Sequence, residues 1–379
     1  MKILILIHEF PPVGAGGGKI ALDIARALVR RGHEVHVITS YFKGLPLKSN
    51  ADGIQITRLP SFRRQMYAAD LLAMSSYLAV GLLVGLWRIW HDHPDLIHVH
   101  FAVPAGALAW LLSKLTGVPY VLTVHLGDVP GGVPEKTDRW FRWVYPFTPR
   151  IWQEAVHITA VSETTRQLAL KHYPMGIQVI PNGINLKDVP LQANWNHHPP
   201  QIVFAGRLVP QKNPVGIIRI LSQLKDLEWK CTIIGDGLLE NAIRDEVKVW
   251  NLESRVTMLG WLDTYHVIMN LADSDILFMP SKSEGFPMVG LQSLAVGLAV
   301  VASRLGGFVD MVEDGKNGFL HDPNDTQGFE KSLRILLSNS EILRSMRQAS
   351  LIKSKNFDIE NVVDQYESLF LESVRANEE

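Results

Sequence analysis

The sequence predicts an α/β protein built from two successive parallel-sheet units, and three observations carry that prediction. Short continuous apolar runs such as Lys2–Ile7 and Gln201–Ala205 alternate with amphipathic stretches of helical period, the pattern of strands covered on both faces. The alternation runs once, breaks off in a Pro-, Asn- and His-rich segment from Leu186 to Pro200, and then starts again. The chain has 379 residues, more than one ordinary core accommodates, so two domains are the natural division.

In the first half, Lys2–Ile7 reads as a buried strand and is followed by Pro11-Pro12-Val13-Gly14-Ala15-Gly16-Gly17-Gly18. An amphipathic helix, Ile20 to Arg31, puts Ile20, Ile24, Ala27 and Leu28 on one face, and Gly32 ends it before the strand Val35–Thr39. A glycine loop between strand and helix lets a ligand approach the backbone and offers N–H donors at the helix start. A dinucleotide fingerprint is not complete, because the second strand ends in Thr39-Ser40-Tyr41 without the acidic residue that would hold a ribose.

Ile54–Leu59 is the third strand, followed by Arg63, Arg64 and the apolar helix that begins near Leu71. Pro94–His100 is a buried strand whose histidines alternate onto one side, as hydrogen-bonded core residues rather than metal ligands. Ala105–Leu115 is a helix, and Pro119–Val124 is a strand ending in His125-Leu126-Gly127-Asp128. A His and an Asp just past the carboxyl end of a parallel strand lie where open α/β sheets bind ligands. Val129 to Arg150 reads as a long irregular loop on the acceptor side, and Ile158–Val161 and Gln178–Ile180 complete the half.

The second half opens with Gln201–Ala205, Gly206-Arg207-Leu208 and a helix start at Asn213-Pro214, just after Lys212. Strands follow at Lys230–Ile234, which runs into Gly235-Asp236-Gly237, at Val256–Leu259 before Gly260, at Ile276–Met279 and at Val300–Ser303, Gly315 to Phe319 turns into a short strand, and the tail from Thr326 to Val374 is mostly helical. The most informative stretch is Ser281 to Ala302. Its loop sets Glu284 before Gly285-Phe286-Pro287, and its helix, from about Met288, has Leu291, Leu294, Ala295 and Leu298 on a buried face. Proline suits a helix start, and the N–H groups of roughly Met288, Val289 and Gly290 form an anion site. Gln292 adds an amide inside that helix, so one unit offers a carboxylate for hydroxyls, backbone donors for phosphate and a further polar group, a set suited to a nucleotide-sugar.

Composition limits the function classes. With 47% hydrophobic and 20% charged residues the chain reads as soluble and globular. The lone Cys231 excludes an internal disulfide and a thiolate metal cluster, and fits a reducing, cytoplasmic setting. The apolar MKILILI start lacks the length and cleavage site of a signal peptide. Leu71–Trp87 is uncharged and about long enough to raise a membrane span, but its serines, tyrosine and glycines favour a buried or surface-docked helix. Residues 1–190 carry 19 Lys+Arg against 13 Asp+Glu, and the remainder carries 18 against 25. The basic half suggests an anionic surface partner such as the inner face of the plasma membrane, with Arg63 and Arg64 as candidate contacts. A nucleic-acid reader is not expected, since basic stripes with interleaved aromatics and zinc spacings are missing.

With these residues laid out, the chain resembles glycosyltransferase family 4 over nearly its whole length. The resemblance rests on the glycine loop, Thr123–Asp128 (TVHLGD), Ile180–Asn185 (IPNGIN), Ala205–Asn213 (AGRLVPQKN), Ile234–Gly237 (IGDG) and, most specific, SKSEGFP at 281–287. It implies a GT-B fold, with two Rossmann-like domains facing each other across a cleft: residues 1–188 on the acceptor side, residues 198–361 binding the nucleotide-sugar, and a last helix, about 362–379, returning to the first domain. It implies that Arg207 and Lys212 bind the diphosphate and stabilise the charge of the leaving group. Glu284 would bind donor-sugar hydroxyls, with Phe286 and the amides of Met288 and Val289 beside it. Gly16 and Gly17 would close on the phosphates, with Gly206 lining the same site. His125 would face the sugar near the reacting carbon, with Asp128 close by, and Gly235, Asp236, Gly237 and Gly260 would border the base.

The resemblance further implies a retaining transferase that uses a UDP- or GDP-sugar, needs no metal or other cofactor, and serves a glycan or lipid-linked acceptor in cell-surface polysaccharide synthesis. The acceptor residues are not legible. In one respect the chain departs from the family pattern: Gln292 stands where a second glutamate usually accepts hydrogen bonds from ribose. An amide both donates and accepts, and losing the charged acceptor costs on the order of 1 kcal/mol of donor binding. Two other readings keep the nucleotide-sugar: an epimerase or a transferase to a soluble acceptor, and a non-catalytic binder.

Overall fold

The computed structural model describes residues 1–14, 16–66, 69–133, 144–190 and 197–378. Parts of the acceptor-side loop and of the linker expected from the sequence, 134–143 and 191–196, lie outside the described residues. The chain divides into two compact units, Met1–Gly183 with Ile359–Glu379, and Ile184–Asp358.

The first unit holds an eight-stranded sheet in the order β3-β4-β2-β1-β5-β6-β7-β8. The strands are β1 (Lys2–Leu6), β2 (Glu34–Ser40), β3 (Lys48–Ala51), β4 (Ile54–Leu59), β5 (Leu96–His100), β6 (Tyr120–Val124), β7 (His157–Ala160) and β8 (Gln178–Val179). All pairings are parallel except β3 with β4. The strand β3 is not expected from the sequence, since its KSNA has no apolar run, being a largely exposed edge strand. The available signal was Asp52-Gly53, both at positive φ, which closes a two-residue hairpin. The helix after β1 is Gly16–Arg30, so the last glycines of the loop form its first turn instead of preceding it.

The last helix, Ile359–Glu378, belongs to this first unit and starts three residues ahead of the expected 362. Its Tyr366 hydroxyl lies 3.2 Å from Thr123 Oγ1 at the end of β6. Arg31 grips it through Glu360, Asp364 and Glu367, and His33 bonds Glu367 at 2.6 Å.

The second unit is an all-parallel six-stranded sheet in the order β11-β10-β9-β12-β13-β14. Its strands are β9 (Gln201–Ala205), β10 (Lys230–Ile234), β11 (Val256–Gly260), β12 (Ile276–Met279), β13 (Ala299–Ser303) and β14 (Gly318–His321). Their side chains are almost continuously buried in β9, β12 and β13, as an apolar run in a doubly covered sheet requires. The strand order reverses between β9 and β12, and in the first unit between β1 and β5. In open parallel sheets such reversal points leave a crevice at the carboxyl ends of the strands.

Candidate functional site

The reversal point of the second unit is where the predicted residues gather. The loop after β9 carries Gly206, Arg207 and, in the short turn Pro210–Lys212, the lysine. The loop after β12 carries Glu284. Lys212 Nζ donates to both carboxylate oxygens of Glu284, each at 2.7 Å. The side chains are 15% and 4% exposed, so the pair is largely out of water. Two further bonds zip the loops together: Lys282 N–H to the Gln211 carbonyl at 2.8 Å, and Gln211 Nε2 to the Ser283 carbonyl at 3.0 Å. Arg207 is exposed on the same β9 loop.

Behind Glu284 the chain turns into the helix Met288–Val296, with Pro287 as its cap residue and no side-chain cap. The amides of Met288 and Val289 open this helix and have no partner in the helix ladder, which leaves them as donors for an anion. Leu291 and Leu294 are buried as expected, but Gly297 ends the helix in a left-handed conformation, so Leu298 lies in the link between the helix and β13 instead of on a helix face. Gln292, half-buried, lies one turn past Met288 on the same face.

Glycines after two strands hold these loops in register. Gly235 N–H donates to the Gly260 carbonyl at 2.7 Å, and Leu208 N–H to the Asp236 carbonyl at 2.7 Å, stitching the loops that follow β9, β10 and β11. Gly235 has φ +127°, and a Cβ there would overlap the Gly206 carbonyl oxygen. Asp236 and Gly237 are exposed at this edge. Gly306 and Gly307, given no role from the sequence, press on the Glu284 loop: a Cβ on Gly306 would run into the Glu284 and Gly285 carbonyl oxygens, and one on Gly307 into the Phe286 ring. Phe286 is buried and sits 5.9 Å from the Phe357 ring.

In the first unit the reversal point is lined by histidines. The ring of His125 stacks on Phe101 at 4.3 Å, and His8 meets the same Phe101 edge-on at 5.2 Å. His125 Nε2 lies 3.4 Å from His100 Nδ1. Phe101 takes a positive φ of 73°, which no sequence rule anticipates for a phenylalanine. Its ring explains Gly17, where a Cβ would come within 2.5 Å of the Phe101 ring, whereas Gly16 faces open space. Asp128, expected among donor contacts, is buried and turns inward. It accepts the backbone N–H groups of His125 and Ala102, both at 2.8 Å, and so ties the turn after β6 to the turn after β5. Among the described residues no group of three or more His, Cys, Asp or Glu side chains is placed to hold a metal ion.

Burial holds these histidines neutral: His8 is lowered to about 4, His98 and His125 to about 3, and His100 well below the ordinary range. Burial pushes Asp128 up to about 7, against the pull of the backbone N–H groups of His125, Ala102 and Val103. The signs oppose. A depressed histidine contributes stability present above about pH 6.5 and lost as pH falls, whereas a raised carboxyl contributes stability present at low pH and lost as pH rises towards 7. Thermal unfolding followed from pH 4 to 7 should therefore show stability rising with pH. The rise should be steeper in Asp128→Asn, which removes the opposing group; a flatter rise in that variant would refute the assignment.

Comparison with known proteins agrees with this arrangement. Residues 14–188 match the family model described as Glycosyltransferase Family 4, and residues 189–351 the model described as Glycosyl transferases group 1. The N-acetyl-alpha-D-glucosaminyl L-malate synthase of Bacillus anthracis is 26% identical over 99% of this chain and 98% of its own. The UDP-Gal:alpha-D-GlcNAc-diphosphoundecaprenol alpha-1,3-galactosyltransferase of Escherichia coli is 27% identical over 77% of this chain and 79% of its own. Among solved structures, sucrose-phosphate synthase from Thermosynechococcus elongatus superposes with a TM-score of 0.86 at 19% identity, covering 99% of both chains, and shares the two-domain GT-B fold.

Proposed function

The chain belongs to glycosyltransferase family 4, and from that premise we propose that it transfers a sugar from a UDP- or GDP-sugar to a lipid-linked or polysaccharide acceptor in cell-surface glycan synthesis, in the cytoplasm, with retention at the anomeric carbon and without a resident metal or other cofactor. One observation carries the donor side of this reading: Lys212 and Glu284 meet at the carboxyl ends of β9 and β12, beside Arg207 and a helix start with open amides. A uridine diphosphate and a lipid-linked acceptor are favoured over the alternatives by the E. coli relative's name, which specifies both.

In this reading the bond from the anomeric carbon to the phosphate oxygen breaks, and the nucleoside diphosphate leaves with an added negative charge. Arg207 and Lys212 stabilise that charge, and cations held in place before the reaction are most effective where charge develops. Glu284 accepts hydrogen bonds from sugar hydroxyls, and its contact with Lys212 keeps both groups oriented. The amides of Met288 and Val289 take a phosphate oxygen. The acceptor oxygen bonds to the same face of the anomeric carbon, and its proton passes to the departing phosphate oxygen. Asp236 and Gly237, exposed beside Gly260, border the base.

The test is a thermal-shift screen with UDP, GDP, ADP and their common sugars, followed by transfer and product analysis. A ligand that binds only the folded state raises the melting temperature in a concentration-dependent way. UDP or UDP-sugars should raise it in the wild type and not in Lys212→Ala. Release of a free sugar epimer without acceptor would replace the transferase by an epimerase. A shift without any turnover would leave a nucleotide-sugar binder, with Gln292→Glu as the variant to examine next.

A further inference from the structure

The outer face of the helix Leu71–Asp92 is apolar, exposed and unassigned. The helix has 22 residues, and by length and composition it could cross a membrane. Its packing says otherwise. Ala73, Tyr77, Gly81, Gly85 and Ile89 recur every fourth residue and are buried against the first unit. A Cβ on Gly81 would come within 2.6 Å of Leu108, and one on Gly85 within 2.7 Å of Leu112, so the glycines let the helix sit close on its neighbour Ala107–Thr116. The Tyr77 hydroxyl reaches the Ile38 carbonyl at 3.3 Å. The helix is thus fixed along the surface of its domain, about 33 Å long.

The opposite stripe holds Leu72, Ala79, Leu83, Trp87 and Trp90. The four large side chains are 49%, 72%, 51% and 66% exposed in the order Leu72, Leu83, Trp87, Trp90. Ser75, on the same side, donates to the Leu71 carbonyl, so it presents little unmet polarity. Phe62, 66% exposed, is pinned next to the stripe by its N–H bond to Ser76 Oγ, and Leu47 is exposed beside Lys48. An apolar surface of this extent on a soluble domain marks a contact.

The rim decides what kind of contact. Lys48 Nζ lies 6.0 Å from the Trp87 ring centroid, and the Arg88 guanidinium 4.9 Å from it. Arg64, two residues past Phe62, is exposed, and Lys114 lies near exposed Leu115 on the adjacent helix. The carboxylates of this region are Asp70, which caps the helix start, Asp92, bonded to Arg88, and Glu154, paired with Lys114. Cations around an apolar stripe with two tryptophans match the charge and depth profile of an anionic bilayer surface. Arg63 is not part of it: its side chain is fully buried and donates to the His8 and Met66 carbonyls and to Glu9, so the sequence-based pairing of Arg63 with Arg64 as membrane contacts is corrected.

We propose that the Leu72–Trp90 stripe, with Phe62, Leu47 and the cations Lys48 and Arg64, is a docking surface for an anionic lipid bilayer, on which the helix lies in the interface plane. This is independent of which sugar or acceptor the enzyme uses, because the readout is vesicle binding.

The test is co-sedimentation of the full chain with vesicles of phosphatidylcholine alone and of phosphatidylcholine mixed with phosphatidylglycerol, at low salt. The wild type should bind the mixed vesicles and lose binding as salt rises. Leu83→Ser/Trp87→Ser/Trp90→Ser should lower the partition coefficient at least about tenfold. Lys48→Glu/Arg64→Glu should abolish the preference for anionic vesicles. Melting temperature and circular dichroism establish that each variant is folded, and Trp87→Gln alone, expected to weaken binding severalfold, serves if the triple variant is not. Absence of wild-type binding to the mixed vesicles, or equal binding by wild type and folded variants, overturns the proposal. So does a dimer in light scattering that the triple variant converts to monomer, because a second copy would then cover the stripe.

Discussion

Lys212→Ala should reduce sugar transfer by about two to three orders of magnitude, the usual effect of removing one preplaced group that stabilises developing charge. The same change should also lower stability, since it leaves the Glu284 carboxylate, 4% exposed, without the ammonium that holds both of its oxygens. Stripping one partner from a buried ion pair costs roughly 3–5 kcal/mol. The two effects separate in Lys212→Ala/Glu284→Gln. There the buried charge is gone, and most of the lost melting temperature should return while transfer stays low. Recovery of transfer together with stability would mean that Lys212 only neutralises Glu284 and does not act on the leaving group.

Gly306→Ala should be strongly damaging to the loop that carries Glu284. Gly306 has φ +53°, which an alanine tolerates at moderate cost, so backbone conformation alone would not be decisive. The overlap is decisive, because the new Cβ meets two main-chain carbonyl oxygens, those of Glu284 and Gly285, and neither can rotate aside as a side chain could. Either the β13 turn or the Glu284 loop must shift. The expected result is a loss of stability above about 3 kcal/mol, in the tail that core strain produces, and donor affinity reduced at least tenfold. Circular dichroism melts with and without UDP measure both. A variant with unchanged melting temperature and unchanged UDP shift would show that the loop yields without cost and that Gly306 does not set its position. Gly315→Ala is the matched control in the same unit, with φ +78° and open space where its Cβ would stand.

Much of the proposed donor side is legible in the sequence, because it depends on local order. Arg207, Lys212 and Glu284 each follow a run of apolar residues that reads as a covered strand, and proline followed by a helical period marks the helix start whose open amides follow Glu284. Strand number and type were also local, except for polar β3, which carries a turn signal but no apolar alternation. Tertiary structure alone decided which of these residues touch. Lys212 and Glu284 are separated by 72 residues, and only the strand order, with β9 next to β12, brings them within 2.7 Å. The same holds for Gly17, whose missing side chain is explained by a ring 84 residues away, and for Asp128, whose buried carboxylate accepts backbone N–H groups from the turn after β5 and the turn after β6. Arg63 and Arg64 are adjacent in sequence and equal in charge, yet one is buried among three main-chain carbonyls and the Glu9 carboxylate and the other is exposed. The sequence by itself determined residue types, periodicity and the motif order of the family. Packing determined burial and partnership, because those depend on which surfaces the sheet order sets against one another, and periodicity within a single element carries no information about its neighbours.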